Sequence, residues 1–572
     1  MESLILKFTF EVVSNQGIIE RVCIRVSNEV GVKLGLSKDL SNVYAYVKGS
    51  EEEIEKFSKR LSEDLPLSIF LKSLKAEVVE EFKDDLMRDF PKISLPPCPK
   101  CLREVKDKNS PNYFNIFHHC EVCGYEIVKE ASVKDYELLI KGLAEKLKNE
   151  NIFIQTMNGI FEISQNLENV DFIVARDLAS VGKYFMAFEG DAKALASIEK
   201  PFVKLKTNLE FKKNFGISIP AFDVKLPDDM ILELLFFVSD FELLGFKEAK
   251  EAKDLSFEVK TEKMPKAVVT DSTKKDILLL SGDRGIIPAY EKFVKEGIVG
   301  KYKDYVSYSR SDKTIIEKGD NGVEAKPVFA GFYGVLNQWN LEEKNIMGFC
   351  FYKEDESKVL INSPKFGLVE FIDFKFKFED FEEIFSLIGA MNDTGKRLIE
   401  NFSKKEPKLF ESALNSNLDT KKNGIFYLWG LIGIVLGFSK EIDEAASLLI
   451  KYSNEAMTKK GPRIDYKVEN NELNPLWAIR TAMSFKLAGV DNYMLSYGVV
   501  ESFAEFLSNT YEGVNKDTSL DGAVIVGDLF EGEFLNKIYS YIEKNYPVYT
   551  PRGLPISGAV ESFGSLVINS KV

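Results

Sequence analysis

The sequence predicts a multidomain protein of mixed α/β and α+β class, with a zinc finger following its first domain. Three observations carry that expectation. The chain has 572 residues, more than one hydrophobic core organises, so three or four domains are expected. Strand-like alternation and helix-like periodicity interchange along its whole length. Two CxxC pairs, Cys98/Cys101 and Cys120/Cys123, stand eighteen residues apart, the spacing of a zinc knuckle pair.

The elements follow in order. Residues 1–84 read as a ferredoxin-like β-α-β-(β)-α-β unit. LILKFTFEVV alternates as a strand, RVCIRVSNEVGVKLGL reads as a helix, and NVYAYVKG as a strand. SEEEIEKFSKRLSEDL reads as an amphipathic helix capped by Ser50, with acids in its first turn. IFLKSLKAEVVEEF closes the unit with a strand. The prolines of PKISLPP (91–97) mark a linker, and the cysteine module occupies 95–128. Residues 133–305 read as a mixed α/β block that includes KDYELLIKGLAEKLKNE as a helix and IFIQTM, PFVKLKT, AVVTD and ILLLSGD as strands. The last block, 306–572, opens strand-rich and turns helical from Phe378 to about Thr510. It closes as AVIVGDLF, EGEFLNKIYSYIEKN and YPVYTP, strand-turn-helix-strand. The polar, turn-rich stretch 459–475 reads as a surface loop.

Composition narrows the function. With 45% apolar and 29% charged residues the chain is an ordinary globular one. A net charge of −14 argues against tracking a nucleic-acid backbone over a long footprint. The start MESLILK lacks a basic n-region followed by an apolar h-region, so no secretory signal is expected and the sequence predicts a cytoplasmic protein. The most apolar run, Gly424 to Phe438, falls short of the roughly 20 residues a bilayer demands and is expected to be a buried helix or packed helix-turn. There is no Walker loop, no well-placed GxGxxG and no Ser-His-Asp arrangement.

Six cysteines divide into two kinds. Cys23 and Cys350 lie alone in apolar runs and are expected as core thiols. Cys98, Cys101, Cys120 and Cys123 form the cluster. Two thiolates from each knuckle complete a tetrahedron around one structural zinc, with no position left open for chemistry. The alternative ligand set replaces one cysteine by His118 or His119, the only histidines in the chain.

In this order the modules resemble HypF, the carbamoyltransferase family of nickel–iron hydrogenase maturation. The resemblance implies an acylphosphatase-like domain (1–84), a zinc finger, a YrdC-like domain (133–305) and a sugar-kinase/actin-like two-lobed carbamoyltransferase-type domain (306–572). The family's phosphate loop G-x-V-Q-G-V-G-F-R is matched at Gly17 and Arg25, with Arg21 and Cys23 in place of the middle glycines, and it implies Arg25 as an oxyanion partner. One of the family's two zinc fingers is present. LLLSGDRGIIP resembles the family's T-S-G-N-x-S-G-x-P loop and implies Ser281, Gly282 and Asp283 as nucleotide contacts. Of the basic cluster K-x-R-x-x-K-P-F, read on ARDLASVGKYFMAF, Lys183 and Phe185 fit. In the last block Gly527 keeps the first glycine of a family S-G-G turn whose second is Asp528, and the D-G-G triad reads Ser557-Gly558-Ala559. Gly527, Asp528 and Gly558 are the implied nucleotide contacts there. The family's metal-binding H-H-x-A-H segment has no histidine to match it.

The expected function is therefore a HypF-like assembly or accessory factor of metalloenzyme maturation with degraded catalytic motifs. A protein is its expected partner and ATP a further expected ligand; neither a membrane nor a nucleic acid is expected. Two competing readings are an active carbamoyltransferase using carbamoyl phosphate and ATP, and a zinc-containing RNA-binding or tRNA-modification accessory protein.

Overall fold

The structure, a computed structural model, describes residues 3–12, 17–39, 42–86, 95–125, 135–217, 219–257, 266–269, 277–281, 292–310, 313–418, 423–458, 460–552 and 554–571. The chain begins with β1 (Leu4–Val12), α1 (Ile18–Val30), β2 (Lys33–Lys38), β3 (Asn42–Gly49), α2 (Glu51–Asp64) and β4 (Leu71–Val78). The four strands form an antiparallel sheet in the order β2-β3-β1-β4. Val22, Val26, Ile54, Phe57 and Leu61 line one stripe of each helix and pack with Phe8 and Phe10 of β1. The α2 N-terminus is fixed by a reciprocal cap: the Glu53 amide donates to Ser50 Oγ, and the Ser50 amide donates to Glu53 Oε2. One element departs from expectation. The helix read through VKLGL stops at Val30, because Gly31 adopts φ +82° and its amide donates back to the Ser27 carbonyl. Lys33–Lys38 then continues as a strand paired with β3.

The cysteine module contributes α3 (Pro99–Lys106), and α4 (Tyr136–Leu147) leads into a second sheet. Its strands are β5 (Ile152–Thr156), β6 (Gly159–Ser164), β7 (Phe172–Ala175), β8 (Phe185–Met186), β9 (Val203–Thr207), β10 (Ala221–Lys225) and β11 (Leu243–Glu248), in the order β5-β6-β11-β7-β10-β9-β8. Only β7 and β10 among its described pairs run parallel. A hairpin follows, β12 (Lys266–Val269) and β13 (Ile277–Ser281).

The last part holds two sheets. The first comprises β14 (Val299–Tyr302), β15 (Tyr305–Arg310), β16 (Lys313–Lys318) and β17 (Val323–Glu324), ordered β16-β15-β14-β17. The second comprises β18 (Ile346–Cys350), β19 (Lys358–Ser363), β20 (Gly367–Asp373), β21 (Lys467–Glu469), β22 (Glu472–Asn474), β23 (Gly522–Val526) and β24 (Val548–Tyr549), ordered β21-β22-β20-β19-β18-β23-β24. Helices cover both faces of this sheet. Met347 and Phe349 point into the large core built by the helices between Phe381 and Glu543, whereas Ile346 and Cys350 point toward the helices Pro327–Gln338 and Ala559–Asn569. The apolar run forms the helix Gly424–Leu436, and every one of its residues is buried. Cys23 and Cys350 are buried core thiols, as expected.

Two features of this part were not anticipated. Residues 467–474 form a hairpin rather than loop, since Asn470 and Asn471 both take positive φ (54° and 63°), the geometry of a two-residue turn. A terminal helix, Ala559–Asn569, follows Gly558. Among the described residues no helix is long and apolar enough to cross a membrane.

Candidate metal centre and neighbouring sites

The four cysteines meet. Their Sγ atoms all lie within 4.8 Å of one another, and all four residues are buried. Cys98 Sγ is 3.5 Å from Cys101 Sγ and 4.0 Å from Cys120 Sγ; Cys101 Sγ is 3.8 Å from Cys123 Sγ. Metal–sulfur bonds of about 2.3 Å in a tetrahedron place sulfurs about 3.8 Å apart, so the donor set fits one four-coordinate ion. Local sequence builds each knuckle. Cys98 precedes Pro99, which sits at the start of α3 and turns Cys101 back onto the same side. In the second knuckle Gly124 takes φ +70° and its amide donates to the Cys120 carbonyl at 2.8 Å. The Leu95 amide donates to the Cys123 carbonyl, which ties the end of the proline-rich stretch to the knot. His118 is buried but faces Glu104, with Nε2 3.2 Å from Oε2, and does not join the ligand cluster. Burial lowers its pKa.

The knot is wired to its surroundings through α3. Arg103, two residues past Cys101, pairs with Asp64 at the C-terminal end of α2 and donates to the Glu63 carbonyl. Lys106 Nζ reaches Glu233 at 2.7 Å on the helix Met230–Phe237, whose Met230 amide donates to the Tyr125 hydroxyl. This eight-residue helix therefore bridges the first sheet unit and the second.

Arg25 belongs to the same network. It lies two turns inside α1, where Nη1 pairs with Glu29 at 2.7 Å and Nη2 with Asp64. The helix begins at Ile18 with Gly17 (φ +75°) as its cap, so the loop before it ends near residue 17. The family loop pattern, moved back four residues, then aligns its Q, its second G and its R with Gln16, Gly17 and Arg21. Arg21 stands in the first turn of α1, its amide donating to the Gly17 carbonyl. The dipeptide Gln16-Gly17, with arginine four residues on, was the available signal.

In the second sheet unit, Lys183 sits on the surface and pairs with Glu242 at 2.7 Å. Ser281 ends β13, whereas Gly282 and Asp283 lie outside the described residues. A better fit to K-x-R-x-x-K-P-F is Leu195 to Phe202, which preserves Lys200-Pro201-Phe202 and replaces the first two basic positions by buried Leu195 and Ser197. Lys200 has φ +45°, and its pKa is lowered by burial. Beside it, Lys225 pairs with Asp228, and its ammonium lies 5.4 Å from the centre of the Phe202 ring. The signal was the intact Lys-Pro-Phe tripeptide.

In the last part the structure brings Gly527, Asp528 and Gly558 to one place. The Gly527 amide donates to the Ile556 carbonyl. At φ +119°, with the Phe351 carbonyl oxygen 2.0 Å from where a Cβ would stand, position 527 accepts glycine only. Asp528 accepts from the Lys353 amide at 2.8 Å and faces Lys303 at 3.8 Å. Burial raises its pKa. Tyr302 donates to Asp355, and Tyr352 donates to the buried Glu561 at 2.7 Å. Burial pushes the Glu561 carboxyl up to about 8, against the Tyr352 and Gly558 hydrogen bonds that pull it down.

That carboxyl sets a pH dependence. Between the unfolded value near 4.5 and about 8, the folded chain holds a proton that the unfolded chain has released. Stability accordingly falls as pH rises through that window, by at most about 1.4 kcal/mol per unit. Glu561→Gln is expected to flatten the fall. Thermal midpoints of both proteins at pH 5 and pH 8 check it; parallel losses would refute the assignment.

No family model matches the chain. Protein HydE of Wolinella succinogenes is 24% identical, over 96% of this chain and 99% of its own length. Full-length HypF in a phosphate- and nucleotide-bound form aligns at 16% identity and a TM-score of 0.66, covering 100% of this chain and 98% of that one. HypF from T. kodakarensis aligns at 13% identity and a TM-score of 0.70, covering 99% of each. The chain therefore has the fold of HypF from end to end.

Proposed function

We propose that this chain, folded as HypF is over its whole length, serves as an assembly or accessory factor in metalloenzyme maturation of the nickel–iron hydrogenase kind, with one structural zinc at Cys98, Cys101, Cys120 and Cys123. The observation that carries the reading is the two-way coverage: 98–100% of both chains align with HypF, which supports likeness over the whole chain rather than one borrowed domain. The divisions proposed on the sequence, 1–84, 95–128, 133–305 and 306–572, are compatible with that correspondence. Four thiolates favour zinc and leave it no open position.

The chemical positions are thinned. The realigned phosphate loop keeps its arginine as Arg21, while Arg25 is committed to Asp64 and Glu29. Both basic positions before Lys200 are replaced, by Leu195 and Ser197, and the C-terminal part has no histidine. Nucleotide binding is supported by Lys200-Pro201-Phe202 and by the converging turns at Gly527 and Gly558, the kind of glycine turn that admits a phosphate close to backbone amides. An HypF form holding phosphate and nucleotide has the same fold.

Affinity purification from a hydrogenase-producing cell tests the reading, with calorimetry of ATP beside it. A stable protein partner and ATP binding in the micromolar to millimolar range are expected. A partnerless monomer that ignores ATP would refute it.

A further inference from the structure

A different cavity lies where the second sheet unit meets the helices of the last part. It has a volume of about 390 Å³ and is lined by Pro220, Glu455, Met457, Tyr493 and Met494, among others. Glu455 ends the helix Ile442–Glu455 and is only 6% exposed. Among the described residues its carboxylate accepts no hydrogen bond and makes no ion pair. Lys451 and Lys204 stand near enough to be felt electrostatically, but neither is within ion-pair distance, and Lys204 Nζ lies 3.7 Å from Asp223. A second carboxylate, Asp491, lines the same cavity while capping the Met494 amide. An adjoining cavity of about 640 Å³ shares Pro220 and Met457 and adds Met186, Leu209 and Ile217 to the walls.

We propose that this cavity binds an organic cation, an alkylguanidinium or alkylammonium whose charged head meets Glu455 and whose aliphatic arm runs over Met457 toward Leu209. The Glu455 carboxylate lines the cavity without a protein partner among the described residues, in surroundings where burial disfavours its charged form, and a charge-assisted hydrogen bond from a guanidinium or ammonium relieves that cost. The walls suit the rest of the ligand. The exposed Tyr493 and Met494 offer a π face and polarisable sulfur, and the thioether of Met457 suits an unbranched chain. A neutral ligand would leave Glu455 uncompensated, and an anion would face two carboxylates. A bare metal ion lacks ligands here, since the only group of three or more His, Cys, Asp or Glu side chains close enough to hold one among the described residues is the cysteine knot. Burial raises the Glu455 pKa against the pull of Lys451 and Lys204.

The test titrates n-butylguanidinium, n-butylammonium and the neutral n-butylurea into the full-length protein by calorimetry. The cations are expected to bind in the millimolar range or tighter, with the urea about ten-fold weaker or more. Glu455→Gln is expected to weaken the cations about ten-fold without lowering the thermal midpoint. Tyr493→Ala, at a partly exposed position, is expected to weaken them a few-fold and serves if the first variant misfolds. A short arginine-containing peptide forms the second arm. Binding about ten-fold tighter than butylguanidinium assigns the cation to a partner protein's side chain, and equal or weaker binding assigns it to a free amine. Urea binding as tight as guanidinium, wild-type affinity in Glu455→Gln, or no binding of cation and peptide alike would overturn the proposal.

Discussion

With zinc at the proposed cysteine site, its removal is expected to unfold Pro99–Lys106 and Cys120–Tyr125 and to loosen the contact between the first two sheet units. Leu95, Val105, Phe114, Ile116 and Tyr125 pack into the core shared with the neighbouring units, but the knuckle turns themselves are short, so the ion's binding energy adds to folding energy here, on the order of 10 kcal/mol for comparable small sites. Arg103 and Lys106 ride on the helix capped by Cys98, and they contact Asp64 of the first sheet unit and Glu233 of the second. Losing the ion should therefore be felt in both units. Chelation monitored by a thiol reagent should release four thiols per zinc, and hydrogen exchange should accelerate by orders of magnitude in α3 and detectably in the end of α2. Cys101→Ser should reproduce the apo pattern. A chelated protein with unchanged exchange in α3 would mean that packing alone supports the knot.

Asp64→Ala is expected to cost about 3 kcal/mol. The Asp64 side chain is fully buried and collects Arg25 from α1, Arg60 from its own helix and Arg103 from α3. Removing it strands three guanidiniums against one another; Arg103 and Arg60 are partly exposed and can turn to water, which keeps the cost moderate. Burial alone would raise the Asp64 pKa, yet the hydrogen bonds from Arg103 and Arg25 outweigh it, and the value is lowered. Its contribution is therefore present above the unfolded value near 3.8 and lost as pH falls through the folded one. Denaturant midpoints at pH 7 and pH 3 should show a large Asp64→Ala deficit at the first and a reduced one at the second. Equal deficits would place the effect in packing instead of charge.

Local signals in the sequence read well and long-range ones did not. The two CxxC pairs encode their own knuckles through Pro99 and Gly124, so the thiols could be assigned to one ion before any fold was known. Ser50 and Glu53 likewise announce the start of α2. The helix of α1 was read too long because Val32 and Leu34 continue its apolar rhythm past Gly31. Arg25 drew attention by matching a family arginine. Only the position of the helix start shows that Arg21 occupies the first turn, while Arg25 is turned toward Asp64, 39 residues away. Lys200-Pro201-Phe202 is intact in the sequence, but Leu195 and Ser197 stand where the family pattern has basic residues, so the tripeptide alone is a faint signal. Lys303, Asp355, Asp528 and Glu561 come together only through the two sheets of the last part, and Glu455 meets Pro220 only where two units touch. No spacing rule in the sequence reports such meetings.

The proposed function couples the HypF fold with the absence of carbamoyl chemistry. ATP–pyrophosphate exchange dependent on carbamoyl phosphate, measured on the zinc-loaded full-length protein, tests that most directly. Binding of ATP without exchange above background is the predicted result. Exchange that requires carbamoyl phosphate and disappears in Lys200→Ala would contradict it, and would show that the remaining residues still run the reaction.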